Sequence, residues 1–173
     1  QLDVGANIIE YGEVRLGAAY GRRTFELQSG GLFFPSRAAT TIGALQGVAR
    51  FDRLDSVNFP HRGYLASAGV YSSLSALGAD EDYRMLRGSA VAARTSGRHT
   101  VFAWTEGGTS WQGEGIPLPG RYTLGGLLKL AGYRPGQLTG IHYGFGALGY
   151  LFRVAPDFDA QRGFYLGIAG EAG

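Results

Sequence analysis

Tyr122-Thr123-Leu124-Gly125-Gly126-Leu127-Leu128-Lys129-Leu130-Ala131-Gly132-Tyr133 is the stretch on which the fold turns, because it breaks the pattern around it. It sits in a Gly- and Pro-rich connection of about twenty-five residues, 112–138, between segments that read as strands. Connections of that length in a compact chain are functional or disordered. Disorder does not suit Leu124, Leu127, Leu128, Leu130 and Tyr133, since apolar residues at this density seek burial. The expectation is a loop folded inward and packed inside something hollow.

Outward from that loop the dominant period is two. Leu2, Val4, Ala6 and Ile8 alternate with Asp3, Gly5 and Asn7, and after a turn at Glu10-Tyr11-Gly12 the pattern resumes with Val14, Leu16, Ala18 and Tyr20. Beyond the loop, Ile141, Tyr143, Phe145, Ala147 and Leu151 form one face against Gly140, His142, Gly144 and Gly146. The last segment sets Phe164, Leu166 and Ile168 against Tyr165, Gly167, Ala169 and Glu171. Four further strands are expected over 40–55, 63–77, 83–95 and 99–111. That makes eight, mostly ten or more residues long, against the five or six usual in soluble sheets and the nine to eleven of a tilted membrane-spanning strand. Tight turns at 10–12 and 96–98 alternate with longer connections at 29–38, 77–82 and 112–138, the asymmetry of outer-membrane barrels, although the connections at 56–62 and 155–162 are intermediate. The apolar face of each strand is expected to meet lipid and the Gly-rich face the lumen.

Composition narrows the classes. The 173 residues suit a single domain with a sizeable core. Thirty glycines with 10 Tyr and 10 Phe point to close-packed aromatic β structure, and charged residues are 17%, below the roughly 25% of ordinary soluble domains. No apolar run approaches the about eighteen residues of a membrane-spanning helix, which leaves a barrel open. A net charge of +2, scattered along the chain, argues against nucleic acid. With no cysteine, thiol catalysis and Cys-based zinc sites are out. Gln1 to Gly5 has no basic-then-apolar leader pattern and reads as the start of a strand, the beginning of a fragment.

Catalytic chemistry finds no foothold. No Gly-x-Ser-x-Gly elbow occurs, and Ser110 lacks the second glycine at the required spacing. His61, His99 and His142 stand singly, without metal-ligand spacing. His99 is expected in a solvated turn and His142 facing the lumen. The paired glycines Gly107-Gly108 and Gly125-Gly126 lack the Gly-Lys-Ser/Thr of a phosphate loop. Neither enzyme activity in this segment nor a metal or cofactor is expected.

Two segments resemble the bacterial surface antigen superfamily of outer-membrane barrels, which includes barrel assembly factors and two-partner-secretion transporters. Phe51-Asp52-Arg53-Leu54-Asp55-Ser56-Val57-Asn58-Phe59-Pro60-His61-Arg62-Gly63-Tyr64 resembles the family's strand-end pattern, carried by Asp52, Asp55, Pro60 and Gly63. Leu124-Gly125-Gly126 with Gly132-Tyr133 resembles its inward-folded loop, whose tip is Arg-Gly-aromatic. Here Ala131 stands where the tip has Arg. The run Leu130-Ala131-Gly132-Tyr133-Arg134-Pro135-Gly136 is most similar to barrels fused to patatin-like phospholipases, and Glu171 stands where many relatives have Asp.

The resemblance implies an all-β, antiparallel transmembrane β-barrel segment of about eight meandering strands, with the long loop entering before the seventh. It implies one domain over 1–173, part of a barrel of about sixteen strands, in the outer membrane of a Gram-negative bacterium. The function it implies is to anchor and help translocate a passenger. An eight-stranded barrel fills its lumen with side chains, so a plug of this size calls for more strands or for a second copy. Expected partners are outer-membrane lipid, a fused or associated passenger and a homodimer mate. With Ala131 unable to pair, two readings stand for Arg134 and Glu171: a pair across the lumen, because a carboxylate there is costly unless paired, or two independently solvated lumen charges. The rivals are a soluble lipocalin-like barrel with a loop lid and an enzyme with its site in the barrel mouth.

Overall fold

The structure is a computed structural model describing residues 2–26, 37–56, 60–111, 120–127, 129–154 and 164–173. The expected loop's residues 112–119 and Leu128, and 57–59 of the strand-end segment, lie outside the described residues. The strands are β1 (Leu2–Ile9), β2 (Gly12–Glu26), β3 (Arg37–Asp52), β4 (Arg62–Ser73), β5 (Tyr83–Ser96), β6 (His99–Trp111), β7 (Tyr122–Leu124), β8 (Leu138–Gly140), β9 (His142–Arg153) and β10 (Tyr165–Ala172). A 3-10 turn at Ser75–Leu77 lies between β4 and β5.

Eight of these strands form one antiparallel meander in the order β1-β2-β3-β4-β5-β6-β9-β10, and β7 and β8 pair separately as a small hairpin in the connection after β6. The expected eight-stranded sheet with an insertion before its seventh strand is therefore what the chain forms. The six central strands run 12 to 16 residues, long enough to cross a bilayer at a tilt and project beyond it. Among the described residues β1 and β10 do not pair with each other, and each keeps a free edge.

Register fixes which side chains share a face. One row runs Glu13, Arg50, Ser67, Ser89, Glu106, Phe145, and another runs Asp52, Leu65, Val91, Trp104, Ala147, Glu171. Both lie on the face against which the insertion packs, the inner face. The opposite face carries Leu2, Val4, Leu16, Leu45, Val70, Leu86, Val101, Leu148, Leu166 and Ile168, all exposed, with Val4 and Ile168 each 74% accessible. The core is correspondingly small. Its largest members, Tyr83, Leu124 and Phe145, belong to the inner wall or the insertion. A soluble domain does not leave so continuous an apolar surface to water.

The expectation that each strand turns its apolar face to lipid holds on β1, β2 and β10 and fails on β9. There the odd positions Tyr143 and Phe145 point inward and the even positions Leu148 and Tyr150 outward. The insertion has apolar side chains of its own, and the wall beneath it must match them.

Candidate functional site

The insertion is held to the inner wall at three heights. At its base, the Tyr122 hydroxyl donates to the Leu86 carbonyl at 2.8 Å, and the Tyr122 ring lies 4.6 Å from that of Tyr143. A Cβ at Gly108 would run into both rings, so the wall thins to backbone where they pass. In the middle, Lys129 Nζ donates to Glu106 Oε1 at 2.8 Å and sits 5.6 Å from the Trp104 ring centroid, while Trp104 packs edge-on against Phe145 at 5.4 Å. Near the tip, the Ala131 N–H donates to Glu171 Oε2 at 2.9 Å. The wall therefore contributes from β5, β6, β9 and β10, four neighbouring strands facing one plug.

The plug's backbone explains its glycines. Gly125 has φ +120°, and a Cβ there would collide with the Arg134 carbonyl oxygen, so only glycine lets the chain double back. The Gly126 N–H donates to the Tyr133 carbonyl at 3.0 Å, and a further turn is closed by Gln137 N–H to the Arg134 carbonyl at 3.0 Å. Leu130 adopts φ 67°, unusual for a branched side chain. Gly132 is exposed with nothing near it, and Tyr133 is 45% accessible.

The expected partnership of Arg134 with Glu171 is replaced. The two form no ion pair, Arg134 is exposed, and Glu171 accepts the Ala131 amide instead. Glu171 does face inward, as expected, but the plug's cation is Lys129 and its acceptor is Glu106. Neither Lys129 nor Glu106 stands out in the sequence, because only the register of β6 beside β9 brings Glu106 beneath the loop.

The strand-end segment forms a second ordered site at the end where the tight turns lie. Asp52 Oδ2 accepts from Arg50 at 2.7 Å and its Oδ1 from the Leu54 N–H at 3.1 Å. Asp55 Oδ1 accepts the amides of His61 and Arg62 at 2.9 and 3.0 Å. Burial opposes the Asp55 charge, but those two amides and the nearby His61 outweigh it and hold the carboxyl below the usual carboxylate range. Gly63 has φ +107°, and a Cβ would strike the Arg53 carbonyl oxygen. Pro60 precedes His61, half-buried at the end of the turn.

His61 carries this turn to the far side of the sheet, its Nε2 lying 3.0 Å from the Tyr165 hydroxyl on β10. β4 and β10 are four strand spacings apart, about 19 Å along the wall, so the contact crosses beneath the interior. Of the other histidines, His99 is exposed beside the turn, as expected, and its Nδ1 bonds the Tyr150 hydroxyl at 2.6 Å, whereas His142 Nδ1 bonds Thr109 Oγ1 at 2.7 Å on the outer face and not in the lumen. Among the described residues no cluster of three metal-ligating side chains occurs.

An antiparallel meander with apolar residues outside, charges inside and a loop folded against its inner wall defines the class: the wall of a membrane-type β-barrel. Its fold is similar to "The crystal structure of BamA from Haemophilus ducreyi lacking POTRA domains 1-3", with a TM-score of 0.74 and 15% identity over 92% of this chain and 37% of that one. This chain thus spans little more than a third of that neighbour's length. No protein-family model matches the sequence, and no curated protein does.

Proposed function

We propose that this chain is a wall segment of a β-barrel in the outer membrane of a Gram-negative bacterium, plugged by its own loop, which anchors a passenger and helps carry it across. The observation that supports this best is the division of charge. Every acidic strand residue whose side chain is described, Glu13, Asp52, Glu106 and Glu171, lies on the inner face, while the outer face is apolar apart from arginines towards its two ends. In lipid only closed barrels satisfy all backbone groups of a sheet. The free edges of β1 and β10 are then met by further strands of a longer protein or by a second copy. A lipocalin-like barrel has the opposite arrangement, with apolar residues lining its interior.

The finer reading, a barrel fused to a patatin-like phospholipase, rests on the loop tip, where Ala131-Gly132-Tyr133-Arg134 replaces the Arg-Gly-aromatic pattern. The catalytic serine of such a parent would lie outside this segment. Partition of the full-length protein into detergent, with heat-modifiable migration in a gel, is the expected result. Recovery in the aqueous phase would sink the barrel reading, and an upstream coding sequence with no lipase-type serine elbow would sink the phospholipase assignment alone.

A further inference from the structure

Among the strand residues whose side chains are described, the outer face has few charges, and they are all of one sign. Its charged strand residues with described side chains are Arg22, Arg62, Arg84 and Arg94, all exposed. On β5, Arg84 and Arg94 bracket Leu86, Gly88, Ala90 and Ala92 on that face. Ten residue steps cover about 34 Å of strand, which at a tilt of about 40° becomes about 26 Å of height, the apolar thickness that outer-membrane barrels present. Arg84 and Arg94 thus fall at the two polar boundaries, where long basic side chains reach headgroups while their stems stay in hydrocarbon.

At the tight-turn boundary the arrangement is more specific. Arg62 and Arg94 are direct cross-strand partners, and neither guanidinium has a hydrogen bond or ion pair among the described residues. Like charges so placed repel. Asp55, the carboxylate closest in sequence, is engaged by the His61 and Arg62 amides. Aromatic pairs flank the two arginines on the same face: Phe51 stacked on Tyr64 at 5.7 Å, and His99 bonded to Tyr150. The polar-tipped rings among them, Tyr64, His99 and Tyr150, suit a glycerol-level environment.

We propose that Arg62 and Arg94 clamp the phosphate of an anionic phospholipid in the leaflet on the tight-turn side, with the Phe51–Tyr64 and His99–Tyr150 pairs flanking its glycerol region. A phosphate between two guanidiniums relieves their repulsion and takes paired N–H donors from both. This rests on the barrel reading, and the experiment separates the two. The full-length protein is reconstituted in nanodiscs of phosphatidylcholine with phosphatidylglycerol, released into the gas phase, and the retained lipids are counted by native mass spectrometry. The wild type is expected to retain phosphatidylglycerol selectively, and R62Q/R94Q to lose about tenfold of that preference. R22Q/R84Q at the opposite boundary should retain it, and R94K, which keeps charge but not the planar fork, should fall between. Unchanged selectivity in an inserted R62Q/R94Q protein overturns the clamp, as does displacement of the lipid by excess inorganic phosphate, the mark of a free-anion site. Should R62Q/R94Q fail to insert, R94K decides by the same count, with wild-type selectivity counting against the clamp. Failure of the wild type to insert would count instead against the barrel.

Discussion

Lys129 gives the plug an ionic hold on the wall, and its partner Glu106 is the less exposed of the two, 12% against 42% for the side chains. Removing Lys129 leaves a half-desolvated carboxylate against Trp104. Lys129→Ala should therefore destabilise the docked plug by about 1–3 kcal/mol, whereas Glu106→Gln, which leaves only a solvent-reaching ammonium, should cost about 1 kcal/mol or less. Chymotrypsin cleavage after Tyr133, which is 45% accessible and unchanged in both variants, reads the difference, with Lys129→Ala cut fastest. The loop was only partly legible from its leucines, since Leu124 is buried as expected but Leu127 is 86% accessible. Its anchor was not legible, because Glu106 looks like any polar residue of an alternating strand until register sets it below Lys129. Arg134 misled for a related reason. Its backbone is taken up in a tight turn with Gln137, whose Oε1 accepts the Arg134 N–H at 2.9 Å, and proximity in sequence to Gly132 does not bring its side chain to the wall. Asp55 carries a pH dependence of definite sign. Its carboxyl is depressed in the folded state, so its contribution is present above the ordinary carboxylate range and is lost as pH falls through the lowered value. The gap in thermal midpoint between wild type and Asp55→Asn should be widest near neutrality and close in acid. A gap independent of pH would show that the Asp55 charge is not what holds the turn.

At the scale of the strand, alternation revealed the sheet but not always which face was which. β1 and β10 show lipid-facing residues as plain apolar runs at every second position. β9 has apolar residues on both faces, because Phe145 and Tyr143 serve the plug while Leu148 and Tyr150 serve the outside. Period alone cannot choose between two apolar sides. Depth offers a check on the assignment. Ala90 lies at the middle of the outer face of β5 and Ser96 at its tight-turn end. Ala90→Arg should cost about 2–4 kcal/mol in a bilayer, while Ser96→Arg should cost about 0–1 kcal/mol. Unfolding in lipid vesicles measures both, and equal costs would mean that this face does not meet hydrocarbon. Gly63→Ala makes a separate demand on the turn after β3. With φ +107° and the Arg53 carbonyl in the way, the substitution should loosen the turn and lower the thermal midpoint by more than Gly144→Ala, where a Cβ meets nothing.

For the molecule as a whole, the two free edges set the expectation. A sheet with unpaired outer strands recruits others, so these 173 residues refolded in detergent should run as a dimer or larger on light scattering. A monomeric segment with protected edge amides on β1 would show instead that eight strands close unaided. The sequence made the insertion before the seventh sheet strand visible, whereas the way the interior is tied together depended on contacts between residues far apart in the chain. Two of those contacts end on the same strand: Ala131 to Glu171, across 40 residues, and His61 to Tyr165, across 104. Neither exists until β10 has docked. Distant pairings of this kind are slow to form because the chain entropy between them is surrendered first. The last of these ten strands therefore acts as a timing element, and seating of the plug tip and the cross-interior tie at the tight-turn end should appear together, late and in a single kinetic phase.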